Sequence, residues 1–147
     1  MARAPFQVLI IPYRRRQDGT VEYAVTKRAD MDAWQFLSGG AENSETPLEA
    51  AKREAQEEGD IPADLDFMAL DATASIPANN FGAWKEWGEG VYVVPEHCFA
   101  VDMQERELQL SFEHSEVRWL GFDNASKLLT WDSNRIAMWE LKERLNE

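Results

Sequence analysis

Glu54, Glu57 and Glu58 stand at i, i+3 and i+4, a spacing that on a helix brings three carboxylates to one face. Like charges so placed weaken a helix. A chain that carries them either spreads them over a solvated face or uses them to grip something. A hard divalent cation suits such a cluster, because Mg2+ takes oxygen ligands and keeps positions for water and phosphate oxygens; Mn2+ is able to substitute. Ala50 and Ala51, one turn earlier, leave space beside the acids, while Leu48, Ala51 and Ala55 form an adjoining stripe able to pack on a sheet. From spacing alone, a metal-binding edge and a plain acidic surface both stay open.

The acids need a helix, and the helix needs a platform. Glu45-Thr46-Pro47 opens the helix, since proline suits the first turn and acids suit the positive end of the helix dipole. Good helix formers follow through Gln56, and Gly59 is the expected stop. Residues Phe6 to Tyr13 and Val21 to Lys27 read as strands, joined into a hairpin by Gln17-Asp18-Gly19-Thr20. Trp34 to Leu37 is a short apolar piece running into Ser38-Gly39-Gly40. Phe67 to Ile76, Tyr92 to Val101 and Val117 to Leu120 are further strands, and Pro95 predicts an edge or a bulge in the second of these. Asp132 or Ser133 caps a final helix with Ile136, Trp139 and Leu145 on its apolar face. No linker or repeat divides residues 1–147, so one mixed α/β domain is expected.

With 44% hydrophobic and 29% charged residues, the chain falls in the globular class. No apolar run approaches the roughly 18 to 20 residues of a membrane-spanning helix, and the short apolar N-terminal stretch reads as a strand rather than a leader. Cys98 is the lone cysteine, which rules out an internal disulfide and favours a cytoplasmic setting. A net charge of −12 argues against stable nucleic-acid binding, which calls for a basic footprint. It also opposes any phosphate-bearing ligand at long range, unless clustered carboxylates hold cations that reverse the sign locally.

The stretch from Gly39 to Ile61 resembles the Nudix box. Gly39 is followed after five residues by Glu45, and after seven more by Arg53-Glu54-Ala55-Gln56-Glu57-Glu58, with Ile61 closing the run. Asp60 stands where the box has its last glycine, with Gly59 displaced by one place. The resemblance implies an α/β/α sandwich with a mixed β-sheet and a loop–helix–loop catalytic box. It implies that Glu54, Glu57 and Glu58 are metal ligands and that Glu45 and Arg53 brace the box. The carbonyl of Ser38, ahead of Gly39, occupies the place of a further backbone ligand, although Leu37-Ser38 replaces the Pro-Gly of many relatives. More than one cation is expected, lowering the pKa of water and clamping a diphosphate.

Outside the box, Glu113-His114 before a short strand resembles the position from which some members add a ligand or general base. With Trp34-Gln35, Leu129-Thr130 and Ser133-Asn134-Arg135, it looks most like the bacterial dihydroneopterin triphosphate, or dATP, pyrophosphohydrolases. Cleavage of a small-molecule phosphoanhydride, a nucleoside or pterin triphosphate releasing pyrophosphate, is thus expected from a monomer or homodimer. Pro77 resembles a proline of ADP-ribose and nucleotide-sugar pyrophosphatases, a competing substrate class. A non-catalytic nucleotide-binding module is a third reading, against which the retained glutamates argue. Arg28, Lys27 and Lys85 are candidate phosphate contacts or plain surface charge. Trp84 and Trp87, with Phe81, sit in a glycine-rich loop, where they either stack on a substrate ring or pack a lid. His114 is a substrate contact or a structural histidine, and Trp34, just ahead of the box, is a further candidate substrate contact.

Overall fold

Alternation along the first strand decides the architecture. In a strand, successive side chains point to opposite faces, and in β1 (Arg3–Arg15) both sets are apolar from Val8 to Ile11. Leu9, Ile11 and Tyr13 enter one core with Tyr23, Phe36, Met138 and Leu141. Val8 and Ile10 enter another with Ala50, Ala51, Ala55, Ile61 and Val101. A strand buried on both faces requires cover on both sides, hence an α/β/α sandwich. A computed structural model describes residues 2–146.

The other elements are β2 (Val21–Arg28), β3 (Trp34–Gln35), β4 (Leu37–Glu42), α1 (Pro47–Gly59), β5 (Phe67–Pro77), β6 (Val93–Asp102), β7 (His114–Leu120), α2 (Phe122–Leu128) and α3 (Asp132–Arg144). The mixed sheet runs β3-β2-β1-β6-β5, with β4 also on β1 and β7 on β2. The β1–β2 hairpin is as expected, Gly19 taking φ +89° in the turn. On its other edge β1 pairs in parallel with β6. No helix among the described residues is long and apolar enough to cross a membrane.

Four expectations are corrected. Pro95 marks neither an edge strand nor a bulge: β6 lies between β1 and β5, and Pro95 stands one residue short of the β1 pairing, which starts at Glu96. Leu48 is exposed, leaving Ala50, Ala51 and Ala55 to face the sheet. The residue before α3 is Trp131, with no side-chain cap. Ile136 and Trp139 point outward, and Asn134, Ala137, Met138 and Leu141 face in. Polar residues take part in the inner face because they answer backbone donors. Asn134 Oδ1 accepts from Phe36 N at 2.9 Å, and Glu140 accepts from Asp71 N and Ala72 N at 2.7 Å each. Asp71 and Ala72 lie where the β5–β6 register shifts, between Ala69 and Thr73, so their amides need another partner.

Candidate active site

Helix α1 is closed at both ends by its own residues. Thr46 Oγ1 accepts from Glu49 N at 3.2 Å and Glu49 Oε1 accepts from Thr46 N at 2.9 Å, a reciprocal capping box. At the other end Asp60 adopts a left-handed conformation, φ 54°, which an aspartate tolerates. Gly59 therefore ends the helix rather than leaving it. A Cβ there would sit 2.8 Å from Leu108 Cδ2. The glycine is needed for packing, and Asp60 makes the turn the family assigns to glycine.

The acidic face of α1 lies against β4. One oxygen from each of Glu54, Glu57 and Glu58 falls within 4.8 Å of the others. Glu54 and Glu58 are buried and Glu57 is exposed. Burial pushes the Glu54 carboxyl up to about 7, with Glu57 and Glu58 adding to the rise and Arg53 opposing it. Hard oxygen donors converging in this array fit a divalent cation. Gly39 makes the arrangement possible, because a Cβ there would lie 2.1 Å from Glu54 Cδ.

Arg53 holds the box together. It donates to Glu45 from Nε at 2.7 Å and Nη2 at 3.0 Å, a two-pronged pairing. The same guanidinium reaches Gly40 O at 2.9 Å, Glu54 at 3.0 Å and Glu57 at 3.2 Å. Glu45 also accepts from Glu42 N at 2.7 Å. Hydrogen bonding from Arg53 holds the Glu45 carboxyl below its usual range. The loop before α1 is thus tied to the helix's middle.

On the other side of the cluster, Ser111 Oγ donates to Glu58 Oε2 at 2.6 Å, and His114 Nδ1 lies 3.5 Å from the same oxygen. His114 is buried, Nδ1 has no hydrogen-bond partner, and burial pushes its pKa down against the raising effect of Glu113 and Asp30. Ser111 Oγ also accepts from Glu113 N at 3.2 Å. Desolvation raises the Glu113 pKa, reinforced by the charge of Glu58 and by a hydrogen bond with it. Glu113 thus lies beside Glu58 and lines the same cleft as Glu54 and Glu57, outside the group of three whose oxygens converge within 4.8 Å.

Three adjoining clefts meet here. An acidic one of about 430 Å3 holds the glutamates with Arg3, Gln7 and Arg53. A second, about 460 Å3, runs from Glu113 and His114 to Arg28 and Ser38. A third, about 400 Å3, has apolar walls from Met31, Ile76, Phe81 and Trp131, and shares Arg28, Gln35 and Ser38 with the second and Gln7 with the first. Of the expected substrate contacts, Arg28 lines two clefts, its guanidinium paired to Asp30 at 2.7 Å. Trp34, Trp84 and Lys85 line none of the three. Trp34 stacks under Arg118 at 4.7 Å, and Trp84 Nε1 bonds Val91 O at 3.2 Å. Trp87 Nε1 donates to Arg3 O at 2.7 Å, and its ring packs beside Phe81. Trp84 and Trp87 therefore buttress the loop, while Phe81 and Trp131 line the third cleft and Phe112 the second.

Sequence reasoning missed Arg3, Ser111 and Glu96. Arg3 lines the acidic cleft, stacks over Phe81 at 5.1 Å and has a buried Nε without a partner. A Cβ on Gly40 would strike it at 1.8 Å, so the Gly39-Gly40 pair was the available signal for Arg3 as well as Glu54. Nothing local marks Ser111 or Glu96, because tertiary packing alone brings them to the site.

Residues 5–139 match the model of the NUDIX domain. A Listeria monocytogenes structure described as a NUDIX hydrolase shares 43% identity and superposes with a TM-score of 0.87, over 97% of this chain and 95% of that one. The dihydroneopterin triphosphate diphosphatase of Escherichia coli is 28% identical over 138 residues, 92% of this chain and 91% of its own. The structure of the Escherichia coli dihydroneopterin triphosphate pyrophosphohydrolase superposes with a TM-score of 0.76 at 25% identity, over 99% of this chain and 98% of that one.

Proposed function

The chain belongs to the NUDIX domain family of hydrolases, and on that premise we propose that it is a Mg2+-dependent pyrophosphohydrolase of nucleoside or pterin triphosphates, releasing pyrophosphate. The observation that carries the reading is the convergence of Glu54, Glu57 and Glu58 within 4.8 Å, beside a cleft walled by aromatic and aliphatic side chains. The likeness to dihydroneopterin triphosphate diphosphatase over nine-tenths of both chains supports the substrate class.

Mg2+ bound there, with Mn2+ able to substitute, supplies positive charge against the diphosphate and acidifies water. Glu54, Glu57 and Glu58 hold it. Arg53 keeps Glu54 and Glu57 in place, and Ser111 does the same for Glu58. Glu113 fronts both the acidic cleft and the Arg28 cleft, a placement that suits a carboxylate accepting a proton between them. We assign it the proton of the attacking water, or a further ligand position. Ser38, ahead of Gly39 on β4, is assigned a backbone ligand role. Arg28, which lines the second and third clefts, and Arg3, which lines the acidic one, are the candidate phosphate contacts. We take the enzyme to work in the cytoplasm, as a monomer or homodimer.

Incubation with deoxynucleoside triphosphates, dihydroneopterin triphosphate and ADP-ribose, with Mg2+ and product identification, tests the reading. Pyrophosphate and a monophosphate from a triphosphate are expected. AMP plus ribose phosphate from ADP-ribose, with triphosphates untouched, overturns it.

A further inference from the structure

Glu96 is buried, 4% exposed, in the middle of the sheet, with β1 on one side and β5 on the other. It lines the apolar-walled cleft. No salt bridge among the described residues involves it, and the hydrogen bond given to its carboxylate comes from Gln7 Nε2 onto Oε2. Burial raises its pKa, with Gln7 opposing. A carboxylate offers about four acceptor sites, and sealing one away from water without a cation is costly unless donors answer it. Of the cleft's other polar side chains, Asn80 alone has no hydrogen bond or ion pair among the described residues, and the rest are engaged. Gln35 accepts from Trp131 Nε1 and donates to Ser38 Oγ, while Asn134 accepts from Phe36 N and donates to Ser133 Oγ. Glu96 is thus the acidic acceptor this cleft presents.

We propose that Glu96 is the specificity-determining residue of this site, its carboxylate accepting two N–H bonds from the adjacent ring N–H and exocyclic amino group shared by guanine and pterin rings. The proposal rests on the triphosphate reading above. A ring held between Phe81 and the opposite apolar wall would place those two donors side by side, the arrangement a carboxylate accepts in bidentate fashion. Adenine offers a donor beside an acceptor on its corresponding edge, so it supplies one of the two N–H groups that the pairing uses. Gln7 bonds Glu96 and also lines the acidic cleft, so the ring-binding end and the phosphate-binding end share a wall. Recognition through hydrogen-bonding groups discriminates strongly because a wrong ligand leaves them buried and unpaired.

Turnover of dGTP, dITP and dATP by the wild type and by Glu96→Gln tests the assignment. dITP lacks the exocyclic amino group and nothing else. The wild type is expected to favour dGTP over dITP by roughly 10- to 100-fold in kcat/KM, the range for hydrogen bonds to a charged group. Glu96→Gln should collapse that ratio, mainly through KM for dGTP. A general structural defect would lower both substrates together and leave the ratio standing, which overturns the proposal. Binding of deoxyguanosine, neopterin, deoxyinosine and deoxyadenosine to the wild type, followed by tryptophan fluorescence, needs neither a variant nor catalysis. Deoxyguanosine and neopterin are expected to bind most tightly; equal binding of deoxyguanosine and deoxyinosine refutes the role of Glu96. Failure to hydrolyse any triphosphate overturns the triphosphate reading instead, and the nucleoside binding order still decides the question for Glu96.

Discussion

Replacing Gly39 with alanine tests how closely the backbone of β4 and the carboxylate of Glu54 are matched. The new Cβ would lie 2.1 Å from Glu54 Cδ and 2.2 and 2.5 Å from its oxygens. Carbon contacts settle at about 3.5–4.0 Å, so the carboxyl must retreat by roughly 1–2 Å. The strand cannot yield instead, since Gly39 pairs with Val8 and the next carbonyl, of Gly40, is held by Arg53. Gly39 is not in the left-handed region, so alanine adds no backbone strain and the effect isolates the side-chain clash. A displacement of about 1 Å in a positioning group costs on the order of 10²-fold in rate, or about 2.7 kcal/mol in activation free energy. Stability should fall by about 1–3 kcal/mol, as in an overpacked core, and toward the lower end because Glu54 has a cleft to swing into. The assay is kcat at saturating Mg2+, Mg2+ affinity by calorimetry and the urea midpoint. Gly82→Ala is the control, because its Cβ would meet nothing within 4 Å. A folded Gly39→Ala protein with wild-type kcat and Mg2+ affinity would refute the placement of Glu54 in the metal site.

Glu57→Gln and Glu58→Gln should each lower kcat by about 10²-fold or more, near 3 kcal/mol, and shrink the rise in Tm that Mg2+ produces. Glu49→Gln keeps an oxygen for the capping box and should match the wild type in both measurements. Glu113→Gln should slow turnover by at least about 10²-fold if this acid takes the proton, leaving the urea midpoint nearly unchanged; full activity moves the base to Glu54. Glu140→Ala removes the acceptor for Asp71 N and Ala72 N and should cost about 2 kcal/mol in urea unfolding. Burial works against ionisation of Glu140, but hydrogen bonds from Asp71 N, Arg144 and Ala72 N outweigh it and hold its pKa below the usual range. Its stabilisation is therefore complete above the ordinary carboxylate pKa and is lost as pH falls through the lowered folded value. The gap in urea midpoint between wild type and Glu140→Ala should narrow across that acid window, and a constant gap would refute the account.

What was legible in the chain was whatever a short stretch decides by itself. The helix start at Thr46-Pro47 and the carboxylate spacing on α1 are local, and both appear in the fold; the Arg53–Glu45 brace, which the resemblance to the Nudix box implied, appears as well. The orientation of α3 was not legible, because hydrophobic periodicity assigns Ile136 and Trp139 inward without knowing that Asn134 and Glu140 must answer amides of other segments. The apolar-walled cleft was not legible for the opposite reason. Its aromatic members, Phe81 and Trp131, are 50 positions apart and neighbours only in space, whereas the conspicuous Trp84–Trp87 cluster is spent on bracing a loop.

The acidity that first argued against a phosphate-bearing substrate is consistent with one once the charges are located. Around the clefts the arginines are not idle: Arg53 is committed to Glu45, Glu54 and Glu57, and Arg28 rests on Asp30. An exposed pair such as Arg28–Asp30 is worth little, so an incoming phosphate exchanges with Asp30 at small cost. Arg3 keeps a buried Nε without a partner beside the glutamates. Without a cation, burial and their neighbouring carboxylates raise the pKa of Glu54 and Glu113, and acids crowded in this way do not attract a polyphosphate. On the proposed reading, a divalent ion reverses the sign of this one region and leaves the rest of a −12 surface repulsive. Selectivity for small phosphoanhydrides over nucleic acid then follows from where the positive charge is placed, since a long polyanion would have to lie across the acidic surface that a triphosphate avoids.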